Sequence, residues 1–163
     1  AGEKIARVSA NMAMAADMEV RASSTATTGA YSSACQRGLP AILMERGGGG
    51  RFTDSEIQAY KRDVKNIMIR MGLLSGEEVH TVQQKNVTRA EYLEAGTDGL
   101  WYPVFSAGDT FAGGAVLGTV RDIWGNLLRE YRADYPGIVL YQTVGLGVKA
   151  GDPLIAYGEY VDR

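Results

Sequence analysis

Glu45 occupies the position in this chain best suited to acid–base chemistry. It follows the apolar run Ala41-Ile42-Leu43-Met44 and precedes Arg46 and the glycines Gly47 to Gly50. An uninterrupted apolar run between a helix and a glycine loop predicts a buried strand of a parallel sheet. Ligands of such sheets bind beyond the carboxyl ends of the strands. A carboxylate there can act as a general base toward water, provided burial lifts its pKa toward the working pH. The competing role is structural, a strand-end glutamate paired with Arg46 or Arg51. The glycine run would let a ligand or another backbone come close, and it leads into a helix N-terminus, which favours anions. No Lys-Ser/Thr follows, so it is not a phosphate loop, and a plain flexible loop is the simpler reading. Arg51 could hold a substrate carboxylate from that loop, with a surface arginine as the default.

Other reactive residues are scarce. The chain has one His, His80, and one Cys, Cys35. Zinc sites draw on His, Cys and carboxylates, so this supply is poor and no metal is expected on these residues alone. A His-based triad would have to run through His80, which lies in a polar connector and reads as solvent-exposed. Cys35 sits among small residues of a short helix and reads as an inert thiol. Asp109 and Asp152 read as turn caps, and Trp101 and Trp124 as packing residues, with an exposed Trp124 marking a contact surface.

Composition narrows the classes further. Of 163 residues, 45% are hydrophobic and 22% charged, typical of a globular protein. A net charge of −2 points to neither nucleic acid nor an anionic membrane. No apolar run reaches the roughly 18 residues of a membrane helix, and no signal pattern opens the chain. One cysteine excludes an internal disulfide and is compatible with a cytoplasmic setting. The chain lacks an initiator Met and opens inside a predicted helix, which points to a truncated or proteolytic piece.

The elements that would position Glu45 come in α/β order. A helix is expected over about Glu3 to Ala16, a short strand over Met18 to Ala22, and a helix over Ala30 to Arg37 closed by Gly38 and Pro40. The clearest helix runs from Thr53 to about Met71. Thr53 and Glu56 form a capping box, and Phe52 and Ile57 suit a hydrophobic staple. Ile57, Tyr60, Val64, Ile67, Met68 and Met71 line one stripe. Ser75 to about Ala95 reads as a connector, with a strand near Val79 to Val82.

From Gly96 the composition is that of an all-β module. A weak repeat runs through it: Gly99-Leu100-Trp101-Tyr102 leads to Gly108-Asp109, and Gly137-Ile138-Val139-Leu140 leads to Gly151-Asp152. Trp101 to Val104 and Ile138 to Tyr141 would be equivalent strands of two interlocked halves. A hairpin at Asp122 to Asn126 would join them, with Gly125-Asn126 tolerating positive φ. The fold class is therefore α/β over residues 1–80, followed by a small all-β module over 81–163.

These stretches resemble the succinylglutamate desuccinylase/aspartoacylase family. The resemblance rests on Leu39-Pro40 through Gly50, on the capped helix ending at Met71-Gly72-Leu73-Leu74, and on Gly99 through Asp109. Gly118, Asp122, Gly125, Gly137 and Val148-Lys149-Ala150-Gly151-Asp152 continue it in the family's order. It implies a partial carboxypeptidase-like α/β domain followed by a lipoyl-like barrel-sandwich. It implies a zinc-dependent amide hydrolase that deacylates an N-acyl amino acid or related amine. It implies that Glu45 is the glutamate that activates water. The family's zinc ligands, a His-x-x-Glu pair and a later His, lie upstream of that glutamate, and no His precedes Glu45 here. The chain thus resembles the family's C-terminal portion, inactive alone, whose partners would be the missing metal-binding portion and a small N-acyl substrate. A homo-oligomer is compatible with this.

The alternative is a non-catalytic binding or assembly module with a lipoyl-like β-sandwich. Lipoyl and biotinyl domains carry a modified Lys at the hairpin joining their halves. Here that hairpin reads Arg121-Asp122-Ile123-Trp124-Gly125-Asn126, without Lys, and Lys149 sits beside the other turn. Carrier function is disfavoured.

Overall fold

The structure is a computed structural model and describes residues 2–162. The chain divides into two compact units, the first reaching Gln84 and the second running from Lys85 to Asp162. No described helix is long and apolar enough to cross a membrane.

The first unit contains α1 (Glu3–Ala15), β1 (Val20–Ala22), α2 (Ala30–Gln36) and α3 (Asp54–Arg70). These agree with the expected elements to within one or two residues. The capping box of α3 is complete: Glu56 N donates to Thr53 Oγ1 at 3.2 Å, and Thr53 N donates to Glu56 Oε2 at 2.6 Å. Two free N–H groups of the first turn are thereby satisfied. The staple is not closed, since Phe52 stays 77% exposed.

Three expectations fail in this unit. Ala41 to Met44 forms no strand, and Leu43 is exposed. A strand needs a ladder partner, and none of the described strands pairs with this run. Val79 to Val82 is not a strand either. Its backbone groups go to side chains instead: Val79 exchanges two hydrogen bonds with Asn66, and the Thr81 and Val82 amides donate to Asp17. Finally, the buried positions of α3 are the polar Asp63 and Asn66, while Val64, Met68 and Met71 of the apolar stripe are exposed. Ion pairs and side-chain-to-backbone bonds hold the most deeply buried positions of this helix, with Ile57, Tyr60 and Ile67 half-buried.

The second unit is all-β, and its first strand overturns the reading of Ser75 to Ala95 as a connector. The strands are β2 (Lys85–Glu94), β3 (Gly99–Pro103), β4 (Thr110–Phe111), β5 (Val116–Arg121), β6 (Leu127–Arg132), β7 (Gly137–Gln142), β8 (Gly147–Val148) and β9 (Pro153–Asp162). Within this unit they form two antiparallel sheets, β2-β9-β7-β4 and β6-β5-β3-β8. One core cluster joins them, with Trp101, Leu117 and Val120 from one sheet and Val139, Leu154, Ile155 and Tyr157 from the other. Neither sheet closes into the expected barrel.

The two halves do interlock. Each pairing in one sheet has a counterpart in the other: β3–β5 matches β7–β9, β5–β6 matches β9–β2, and β3–β8 matches β7–β4. The register of the repeat differs from that of the Gly-Asp dipeptides. Gly151 N donates to Ala95 O at 2.8 Å and Ala95 N to Asp152 O at 2.8 Å. The matching bonds join Gly114 N to Ala133 O at 2.8 Å and Ala133 N to Ala115 O at 2.9 Å. Gly114-Ala115, not Gly108-Asp109, is therefore the counterpart of Gly151-Asp152. Asp109 and Asp152 do cap turns alike, accepting from Ser106 N at 2.7 Å and Lys149 N at 2.8 Å. An Asp can do this wherever a turn offers an amide, so the shared dipeptide does not mark the structural repeat. The hairpin at 122–126 joins the halves, with Asp122 accepting from Trp124 N and Asn126 N.

Candidate functional site

Glu45 is exposed, and its side chain has no hydrogen bond or ion pair among the described residues. The residue after it is tightly held. Arg46 Nε donates to Asp63 Oδ2 at 2.8 Å, and Arg46 Nη2 donates to Asp63 Oδ1 at 3.1 Å and to Asp17 O at 2.7 Å. The pairing of Glu45 with Arg46 or Arg51 therefore does not form. Arg46 points to the protein and Glu45 does not share its charge.

The backbone around Glu45 is held from α3. Arg46 N donates to the Tyr60 hydroxyl at 2.8 Å, and that hydroxyl donates to Met44 O at 3.4 Å. Upstream, Ala41 N donates to Ser9 Oγ at 3.1 Å. Downstream, the glycine run is a tight turn rather than a loose loop. Arg51 N donates to Gly48 O at 3.2 Å, and Gly49 and Gly50 adopt φ of 63° and 68°. Two consecutive left-handed residues match a turn that glycine makes at no steric cost. Gly47 is constrained twice over: its φ is 74°, and a Cβ there would lie 2.8 Å from Glu56 Oε1. Arg51 ends this turn, exposed, with no side-chain partner among the described residues, and no hydrogen bond or ion pair joins it to Glu45.

Beneath Arg46 lies a charged cluster that the sequence did not announce. Asp17 is 2% exposed and Asp63 fully buried. Asp63 Oδ1 also accepts from Asp17 N at 2.8 Å. Asp17 accepts from Thr81 N at 2.7 Å, Thr81 Oγ1 at 2.7 Å, Val82 N at 3.2 Å and Arg62 Nε at 2.8 Å. Burial alone would raise the Asp17 pKa, but the bonds from Thr81, Val82 and Arg62 outweigh it and bring it down to about 2.

These residues do not fit a zinc ion. Each carboxylate oxygen of Asp17 and Asp63 already accepts an N–H or O–H, and two guanidinium groups balance the charge. His80 Nε2 lies 2.9 Å from Glu78 Oε2, in an exposed position, and makes no hydrogen bond to either aspartate. Cys35 contacts Ser9 Oγ and Ala41 O. Among the described residues no group of three or more His, Cys, Asp and Glu is arranged to hold a metal.

No family model matches the chain. It is 27% identical, over 127 residues, to an N-alpha-acetyl-L-2,4-diaminobutyric acid deacetylase of Halomonas elongata; the match covers 74% of this chain and 37% of that protein. In fold it is similar to the product-bound ectoine utilization protein EutE (DoeB) of Ruegeria pomeroyi, with a TM-score of 0.84 and 21% identity, over 97% of this chain and 50% of that one. It is also similar to a succinylglutamate desuccinylase/aspartoacylase from Rhodobacter sphaeroides, with a TM-score of 0.81 and 23% identity, over 99% of this chain and 51% of that one. The chain thus spans about half the length of these structures or less than half that of the sequence relative. In fold, the chain resembles the succinylglutamate desuccinylase/aspartoacylase family, and that coverage fits a C-terminal portion of its members.

Proposed function

We propose that this chain is the C-terminal portion of a hydrolytic deacylase that cleaves the amide bond of an N-acyl amino acid or related amine. Water adds to the acyl carbon, the C–N bond breaks, and the amine leaves with a proton. Glu45 is the general base that takes the proton from the attacking water. Arg51, at the end of the glycine turn, is the candidate for the substrate's carboxylate. The zinc of the complete enzyme would be held by residues outside this chain and would polarise the acyl carbonyl and the attacking water. The observation that carries the reading is the unpaired Glu45 at the mouth of a fixed glycine turn, in a chain similar to a deacetylase. The relatives lend no support to a non-catalytic assembly module. The test is to offer N-acetyl and N-succinyl amino acids and diamino acids to the enzyme that contains this chain. Release of one carboxylate and one free amine per bond is expected; no hydrolysis across the series would sink the proposal.

A further inference from the structure

Glu45 is not steadied by a sheet. The run before it makes no ladder, and the glycine turn after it begins only at Gly47. Yet both peptide groups that flank Glu45 reach the same atom. The Tyr60 hydroxyl accepts the N–H of Arg46 at 2.8 Å and makes a longer, weaker contact to the carbonyl of Met44 at 3.4 Å. The first peptide precedes the Glu45 Cα and the second follows it, so their orientation fixes the direction of its Cα–Cβ bond. Three residues further along the same helix, Asp63 receives both Nε and Nη2 of Arg46 and tethers that side chain to α3. The Tyr60 ring also lies under the same guanidinium, whose Cζ is 6.0 Å from the ring centroid.

We propose that Tyr60, supported by Asp63, is a positioning residue that aims the Glu45 carboxylate. The proposal rests on the reading of Glu45 as the general base. A base placed about 1 Å off its reacting proton can lose on the order of 10²-fold in rate, so a hydroxyl that fixes the backbone matters without touching substrate.

The experiment is a double-mutant cycle in the active enzyme that contains this chain. Tyr60→Phe keeps the ring and removes only the bridging oxygen. It is expected to lower kcat roughly tenfold or more, with KM unchanged and the melting temperature nearly so. In a Glu45→Gln background the same substitution should lower kcat no further, because a residue that acts through Glu45 has nothing left to aim. Normal kcat for Tyr60→Phe, a loss confined to KM, or a loss that multiplies that of Glu45→Gln would overturn the positioning role while leaving the base in place. Near-normal turnover of Glu45→Gln alone would overturn the general-base reading and this proposal with it.

Discussion

Arg46 Nε lies 2.8 Å from Asp63 Oδ2, and that carboxylate is fully buried while the arginine is about one-fifth exposed. The pair ties the segment carrying Glu45 to α3. Removing one member of a buried pair leaves the other charge uncompensated, which costs more than the pair itself is worth. Asp63→Ala is expected to lower the stability of the first unit by roughly 3–5 kcal/mol. Denaturant unfolding, followed by a probe within residues 2–84, would measure it. A change below about 1 kcal/mol, the value of an exposed pair, would show that the ion pair is solvated.

The Asp17 carboxylate sets an acid limit. Its pKa falls from 3.8 in the unfolded chain to about 2 in the fold. A depressed carboxylate contributes stability that is fully present above the unfolded value and is lost as the pH drops through the folded one. The first unit should therefore lose roughly 2 kcal/mol between about pH 4 and pH 2 through this group. Unfolding curves across that range, compared between the parent protein and Asp17→Asn, should differ in slope; parallel curves would contradict the assignment.

Gly118 on β5 faces the Trp101 ring so closely that a Cβ would lie 2.3 Å from Trp101 Cη2. Trp101 is 2% exposed in a packed core and cannot retreat without displacing its neighbours. Gly118→Ala is expected to destabilise the second unit by about 1–3 kcal/mol. Thermal unfolding of the second unit would check this, and an unchanged melting temperature would show that the ring has room to shift.

Thr53 closes the capping box at the end of the glycine turn. Thr53→Ala should cost about 1 kcal/mol, within the usual range for a lost N-cap. The same denaturant measurement would detect it, and no change would mean that solvent replaces the cap fully.

The sequence carried the helices because their signals are local. The spacing of apolar residues, the Thr53–Glu56 box and the Gly38 stop each act within a few residues. The hairpin at Asp122 to Asn126 was legible for the same reason. The Ala41 to Met44 run was misread because apolar composition says nothing about whether a ladder partner lies alongside. β2 was missed because Asn86, Thr88, Arg89, Glu91 and Glu94 make it look polar, although Val87 is buried in it. The cluster around Asp63 could not be read at all. Its partners lie 17 positions away at Arg46 and 46 away at Asp17, which in turn is held from Thr81, 64 positions off. A polar residue on a helix is read as solvated unless such distant partners are known. Glu45 is singled out by its neighbours in sequence, whereas Tyr60, whose hydroxyl bonds the backbone on either side of it, reads in sequence only as part of an apolar stripe.

In the proposed reaction Glu45 takes a proton from water. Turnover of Glu45→Gln, in the active enzyme that contains this chain, tests it most directly. The substitution is isosteric and leaves Arg46, Tyr60 and the glycine turn as they are. Turnover is predicted to fall by a factor of roughly 10² or more, with substrate binding and melting temperature little changed. Near-normal turnover would contradict the account, however stable or unstable the variant proved to be.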